Sequence, residues 1–209
     1  TIDDNGFAAF DWDEATVNVL TEGNAGADQV RNFQTEHDVI ALEGALADST
    51  LSGAPDAVVS PDLVDLSSIV GSIGTPMSLS DHEFGVVTSE VNAHSGQSVS
   101  SEDIGDADAV AALLNNVYNF DEGSLFRDPE TQSETVNTTV FAVTASDDPD
   151  MTAIWAHSQG SGEDNTVEAL ELNLLATLET EGEAFSEQNF AIEVDGSWQQ
   201  PEILQPQYV

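Results

Sequence analysis

The sequence predicts an α+β fold, mainly antiparallel β and sandwich-like, with two helices inserted between the strands. Three observations lead to this prediction. Short runs in which polar and apolar residues alternate recur along the chain, as is typical of half-buried strands. Two stretches, near 106–117 and 166–179, place apolar residues at helical spacing instead. The strands do not alternate regularly with helices, which favours α+β over a doubly wound parallel sheet.

The first half of the chain supplies several of the predicted strands. "FAAFDWDEATVNVL" (7–20) alternates well enough for one or two strands, and "HEFGVVTSEVNA" (82–93) has the pattern of another. Between them lie two short apolar runs, "DVIALEGAL" (38–46) and "LVDLSSIV" (63–70), which are separated by a loop rich in Ser, Gly and Pro.

The two predicted helices each have one apolar face. The helix near 106–117 has acidic residues in its first turn, where the helix dipole favours them. Its apolar face contains Val110, Leu113, Leu114 and Val117. The apolar side of the helix near 166–179 contains Val167, Leu170, Leu174 and Leu178. Between the helices, two strands flank an acidic turn at 147–150 and predict a hairpin.

We expect residues 1–209 to form one domain with extended terminal segments. The polar stretches near 96–106 and 121–133 are where a boundary between two smaller units would fall. Both ends of the chain, "FAAFDW" and "EILQPQYV", are apolar and strand-forming. They predict either strand addition to the sheet edge of a neighbouring subunit or a return onto the chain's own domain.

The charge of the chain restricts its partners. The sequence has 40 acidic residues against two basic ones, Arg31 and Arg127, and its formal net charge is −38. Such self-repulsion disfavours the compact state unless cations screen or bind the carboxylates, so we expect salty or calcium-containing surroundings. Nucleic-acid binding needs Lys and Arg clusters, which this sequence lacks. Its 40% apolar residues argue against a disordered acidic tail.

Other features of the composition bear on location. Cysteine is absent, so disulfides contribute nothing. No apolar run approaches the roughly 18–20 residues that span a bilayer, so we expect no membrane insertion. The sequence begins at Thr1 without a basic leader, as expected of a processed mature protein or a piece of a longer one.

Motifs of catalytic chemistry are missing from the sequence. The four histidines do not have the spacing of a zinc hydrolase: His37, His82, His94 and His157. The sequence contains no nucleophile elbow, no P-loop and no dinucleotide-binding glycine motif after a strand. Carboxylate pairs are inevitable among 40 acidic residues and therefore indicate nothing. We expect a non-enzymatic protein without catalytic residues.

Two segments resemble RTX-type calcium-binding proteins exported by bacteria. "GNAGADQVR" (23–31) is similar to one nonapeptide G-G-x-G-x-D-x-U-x, although Asn24 replaces the second glycine. The next residues, "FQTEHDVIAL", resemble the strand that closes such calcium-binding rolls. "TTVFAVTASDDPDMTAIWAHSQGSGEDNTVEALELNLLATLE" resembles a segment near the C-termini of these proteins, with a strand pair, an acidic turn and E-L-x-L-L-A-T-L. Together the segments cover about a third of the chain.

The resemblance implies that Asp28 is a calcium ligand in a roll turn. In a β-roll, calcium is held between consecutive turns, so a single copy supplies half a site. The alternative is an ordinary turn that glycine permits before a strand, with Asp28 capping its own backbone.

A second predicted calcium site lies in "GSGEDNTVEALE" (160–171), which has part of the pattern of an EF-hand-type loop. Aligning Val167 with the apolar eighth position places ligand types at positions 5, 7, 9 and 12: Asp164, Thr166, Glu168 and Glu171. Positions 1 and 3 are glycines, and Asn165 stands where a glycine usually makes the sharp bend. The alternatives are a remnant that has lost calcium binding and a helix whose acidic first turn needs no metal.

These observations favour an exported, non-enzymatic structural protein of the cell surface or extracellular matrix. We expect it to be a self-assembling subunit of a filament or layer that binds divalent cations, calcium above all, with itself as partner. The alternative is a soluble acidic protein of a halophile with an intracellular binding or enzymatic role, since missing Lys and excess Asp and Glu suit that class too.

Overall fold

The computed structural model describes residues 16–21, 27–43, 58–59, 77–78, 84–119, 138–158, 166–181, 184–194 and 197–199. Its longer strands are β1 (Thr16–Thr21), β2 (Asp28–Gln34), β3 (Asp38–Glu43), β6 (Phe84–Val87), β8 (Thr138–Thr144), β9 (Met151–Ser158), β10 (Leu172–Glu181) and β11 (Phe190–Val194). Its shorter strands are β4 (Val58–Val59), β5 (Met77–Ser78), β7 (Tyr118–Asn119) and β12 (Ser197–Gln199). The α-helices are α1 (Ser89–His94) and α2 (Ala107–Val117), and 3₁₀ turns lie at Ala169–Glu171 and Glu187–Asn189.

The described strands form three sheets. The largest has six strands in the order β2-β10-β9-β8-β6-β4, the second has four in the order β1-β3-β11-β12, and β5 pairs with β7. Strands and helices together confirm the predicted α+β class. The expectation of mainly antiparallel pairing is wrong, because only β8–β9, β9–β10 and β11–β12 are antiparallel among the described pairs. The parallel neighbours β6 and β8 are possible because α1 and α2 lie between them in the chain and form a crossover.

The predicted helix near 106–117 is confirmed as α2. Asp106 is its N-cap and accepts hydrogen bonds from the backbone N–H groups of Asp108 (2.9 Å) and Ala109 (3.2 Å). The apolar face is buried as the spacing predicts, at Val110, Leu113, Leu114 and Val117. This helix is therefore specified locally, by its cap and its periodicity.

The predicted helix near 166–179 is wrong. After the short 3₁₀ turn Ala169–Glu171, residues Leu172–Glu181 form the strand β10. β10 lies between β9 and β2, so it carries apolar residues on both faces, and its register shifts between Leu174 and Ala176. The shift interrupts strict alternation and produces a spacing that resembles a helix. Leu170, expected on the buried helix face, is 96% exposed.

Several other strand predictions have mixed outcomes. The hairpin around the turn at 147–150 is confirmed as β8 and β9. Of the predicted strand 82–93, the described part begins with the strand β6, and Thr88 then caps α1 by accepting from the backbone N–H of Val91 at 3.3 Å. β1 confirms the end of the pattern at 7–20, whose earlier residues lie outside the described part, as does the run at 63–70.

The resemblance predicts that "FQTEHDVIAL" is one strand, and that prediction is wrong. It contains the end of β2, a turn at 35–37 and β3, and the two strands belong to different sheets. Asn189, which is buried, fixes this corner because its side chain donates to the carbonyl oxygens of Thr35 (2.8 Å) and Asp38 (3.1 Å). A residue about 150 positions away in sequence thus decides where the strand breaks.

The six-stranded sheet has a hydrophobic cluster on each face. On one face, Phe141 and Trp155 pack with α2, including Leu113. On the other face, the sheet packs against residues of the four-stranded sheet in a cluster that includes Ile40, Ile154, Leu178 and Phe190. Successive residues of β8 and β9 alternate between the two clusters, as the pleat of a strand requires. The sheet is therefore a middle layer, with helices on one side and a second sheet on the other.

Candidate functional site

The predicted EF-hand-type loop is described only from Thr166 onward. Asp164 lies outside the described residues, together with the rest of 159–165. Thr166 and Glu168 are exposed, whereas Glu171 is partly buried. The structure brings Glu168 and Glu171 together in the 3₁₀ turn that precedes β10. We call residues 166–171 the acidic segment.

Glu171 makes two contacts inside the protein. Its Oε2 atom accepts a hydrogen bond from the backbone N–H of Glu168 at 3.0 Å and lies 3.2 Å from Nε2 of His157. Because an ionised carboxylate only accepts, the His157 tautomer that suits this contact carries its proton on Nε2. A calcium ion bound at the twelfth loop position would have to compete with both groups for the same oxygen.

His157 lies at the centre of this arrangement. It sits on β9 opposite Leu172, and its side chain is fully buried, with its ring edge-on to Phe141 at 6.5 Å. Burial lowers the pKa of His157, and its contact with the Glu171 carboxylate only partly offsets that effect. The imidazole is therefore kept neutral near pH 7. Its Nε2–H group donates to the Glu171 carboxylate and holds that carboxylate in place.

A second anchor holds the other end of the acidic segment. The side chain of Asn115, on α2, donates to the carbonyl oxygen of Val167 at 2.9 Å and accepts from the backbone N–H of Val167 at 2.8 Å. Val167 itself is buried in the cluster between the helices and the sheet. The acidic segment is therefore attached to α2 at one end and to β9 at the other.

Asp28 does not lie in a turn. It is the first residue of β2, is exposed, and stands opposite Ala176 of β10 in the parallel register. Within the described residues, the structure assembles no group of three or more His, Asp or Glu side chains that could hold a metal ion. Asp28 is thus not brought together with Glu168 and Glu171 in such a group.

The acidic turn between β8 and β9 is also fixed by other parts of the chain. The carboxylate of Asp147 accepts from the backbone N–H of Ser101 at 2.7 Å. The carbonyl oxygen of Asp150 accepts from the backbone N–H of Thr180 at 2.7 Å. Within this turn, the Asp148 side chain accepts from the Asp150 N–H at 3.1 Å. These contacts give the turn a defined position relative to the 100–105 loop and β10.

The carboxylates remain at the surface throughout the described part of the chain. No Asp or Glu side chain whose burial is described is buried. Exposed ones are found at 28, 36, 90, 102, 103, 106, 108, 147, 150, 168, 179 and 181. Arg31 is the single Lys or Arg in this part, and its Nε lies 3.9 Å from Oε1 of Glu179, with both side chains largely exposed. A contact of that length and exposure neutralises little charge.

Sequence reasoning missed His157 and Asn115 as the residues that position the acidic segment. The available indication for His157 was its place in the strand "TAIWAHS", where the alternation puts it on the same face as Trp155. Asn115 gave no comparable indication, because it lies 52 residues from its partner Val167 and is exposed on a helix.

None of the described helices has both the length and the apolar character needed to cross a bilayer. No protein-family model, curated protein or solved structure matches this chain.

Proposed function

We propose that the protein is an exported, non-enzymatic structural protein of the cell surface or extracellular matrix, which self-assembles when divalent cations neutralise its carboxylates. The observation that carries this proposal is the surface charge: a chain of net charge −38 keeps its described carboxylates at the surface, with one arginine near them. Copies of such a chain repel each other in dilute salt. Divalent cations relieve this repulsion and favour carboxylate ligands, calcium in particular.

The acidic segment is the place where we propose that calcium acts specifically. Glu168 is exposed, and its backbone is fixed by the bond to Glu171, so its carboxylate is presented on an ordered backbone. Asp164 and Thr166 complete the proposed set with Glu171. Asp28 is proposed as a separate, weaker ligand on β2. The resemblance of both regions to RTX-type proteins supports calcium over magnesium.

Light scattering during a calcium titration tests the proposal, with magnesium chloride and potassium chloride as controls at matched ionic strength. We expect large species to form below about 1 mM calcium, the range of extracellular calcium modules, and not in the controls. Equal responses to all three salts would contradict the proposal. Generic screening would then favour the second candidate, a soluble acidic protein of a halophile, for which the same exposed carboxylates serve hydration in concentrated salt.

A matched pair of variants separates the acidic segment from the rest of the surface. Glu168→Gln removes the charge of one proposed ligand, and Glu102→Gln removes the same charge from another exposed glutamate outside the segment. We expect the first variant to raise the calcium concentration needed for assembly and the second to leave it unchanged. An equal shift in both would show that the charge, and not the site, controls assembly.

A further inference from the structure

The edges of the two larger sheets differ in how well they are protected against pairing with another chain. Natural proteins protect edges by shortness, charge, proline or bulges. β4 and β12, at two of the edges, have two and three residues. β2, the long edge strand of the six-stranded sheet, carries Asp28 and Arg31. It also contains Asn32 in the left-handed region (φ 58°), beside a register shift in its pairing with β10.

β1 has none of these protective features. Its six residues, TVNVLT, include no charge and no proline, although the chain as a whole has a net charge of −38. Its Thr and Val residues favour strands. It pairs with β3 in an unbroken parallel register from Thr16–Asp38 to Thr21–Glu43. Within the described residues, β1 ends the four-stranded sheet and β3 is its pairing partner.

We propose that the outer edge of β1 pairs with β1 of a second copy of this chain. Antiparallel pairing about a two-fold axis would join two four-stranded sheets, one from each copy, into a continuous sheet. A second copy suits this edge because, within Thr16–Thr21, an uncharged strand opposite an identical uncharged strand adds no like-charge contact. The inference rests on the proposed self-assembly and names the surface that begins it.

The two-fold axis makes the geometry testable. An antiparallel pair of identical strands in one sheet places one residue opposite its own copy, and near the middle of β1 this is Asn18 or Val19. Opposite Cα atoms in such a pair are about 4.5–5.5 Å apart, within the range that a disulfide spans. Because the chain has no cysteine, a single introduced thiol reports on one contact only.

The experiment compares Asn18→Cys and Val19→Cys with Gln29→Cys, which places a thiol on the exposed edge of β2. Each full-length variant is oxidised in calcium chloride and, separately, in concentrated potassium chloride, and dimers are measured on a non-reducing gel. We expect one β1 variant to form dimers at least about tenfold faster than the β2 variant, as a raised effective concentration at the contact requires. Equal rates would overturn the inference.

A second pair of variants needs no thiol. Asn18→Asp and Asn32→Asp make the same change of charge on β1 and on β2. Carboxylates facing each other across the pair should weaken dimerisation about 2- to 5-fold in Asn18→Asp, measured by sedimentation, and not in Asn32→Asp. Equal dimerisation of the two variants would overturn the inference. Circular dichroism confirms that both variants are folded.

The outcomes separate this inference from the proposed function. Rapid β1 cross-linking without larger species in calcium would support the β1 pair and contradict the calcium-driven assembly. Larger species without preferential β1 cross-linking would support assembly and overturn the β1 pair. A β1 dimer that forms only after residues 1–15 are deleted would assign the edge to the chain's own N-terminal segment, and that result also overturns the inference.

Discussion

Replacing Glu171 with alanine tests whether this residue supports the fold in addition to its proposed role as a ligand. The substitution removes an oxygen that lies 3.2 Å from Nε2 of the buried His157 and 3.0 Å from the backbone nitrogen of Glu168. His157 has no access to solvent, so after the substitution water cannot replace the lost acceptor without a local opening. The Glu168 N–H is closer to the surface and can be hydrated.

The expected loss follows from these two contacts. A hydrogen bond to a charged acceptor contributes about 1.5–3 kcal/mol, and the buried contact with His157 belongs in this range. The bond to the first-turn N–H of Glu168 resembles a helix cap, worth about 0.5–2 kcal/mol. Because the contacts share one oxygen and are not independent, we expect Glu171→Ala to lower the free energy of unfolding by about 3 kcal/mol.

The measurement is urea unfolding followed by tryptophan fluorescence, in a fixed high concentration of salt so that charge repulsion is equal in all samples. Glu102→Ala is the matched control, because it removes the same charge from an exposed glutamate outside the acidic segment, and we expect a loss below about 0.5 kcal/mol. If the two variants differ by less than about 1 kcal/mol, the contact between His157 and Glu171 does not stabilise the protein as argued.

Two further predictions concern stability. Burial lowers the pKa of His157 below the ordinary histidine value of 6.5. Below pH 6.5 the unfolded chain therefore binds a proton that the folded chain does not. Stability should fall as the pH decreases below 6.5, and it should fall less in His157→Gln. Equal pH dependence of the urea midpoints in both proteins would contradict this. Gly85→Ala would place a Cβ atom 2.6 Å from Cδ1 of Phe141 and should cost about 1–3 kcal/mol. In Gly105→Ala the nearest atom is 3.7 Å away, so equal melting temperatures for the two variants would refute the packing argument.

The parts of the fold that the sequence predicted correctly are those with local causes. The helix α2 has its cap at Asp106 and its apolar face within one segment, so periodicity alone locates it. The β8–β9 hairpin likewise depends on two neighbouring runs and the turn between them. In the segment of the predicted calcium site, Glu168 and Glu171 lie one turn apart, but the turn is 3₁₀ and is followed by a strand.

The parts that the sequence did not predict depend on distant partners. Residues 172–178 have the spacing of a helix, but pairing with β9 on one side and β2 on the other makes them a strand. Tertiary contacts outweigh local propensity here, because a central strand satisfies its backbone hydrogen bonds on both sides and buries both faces. The break after Gln34 has a similar cause, since Asn189 donates to the carbonyl groups of the corner.

By itself, the sequence determined the charge of this protein, because net charge is a sum over residues and does not depend on their arrangement. It also determined α2, whose stabilising contacts are local. Only the tertiary structure decided that the acidic segment is held by His157 and Asn115, and that β1, among the strands described, ends a sheet as an uncharged edge. Strand pairing and side-chain contacts across 14 to 52 residues arise from the packed chain, and no local pattern encodes them.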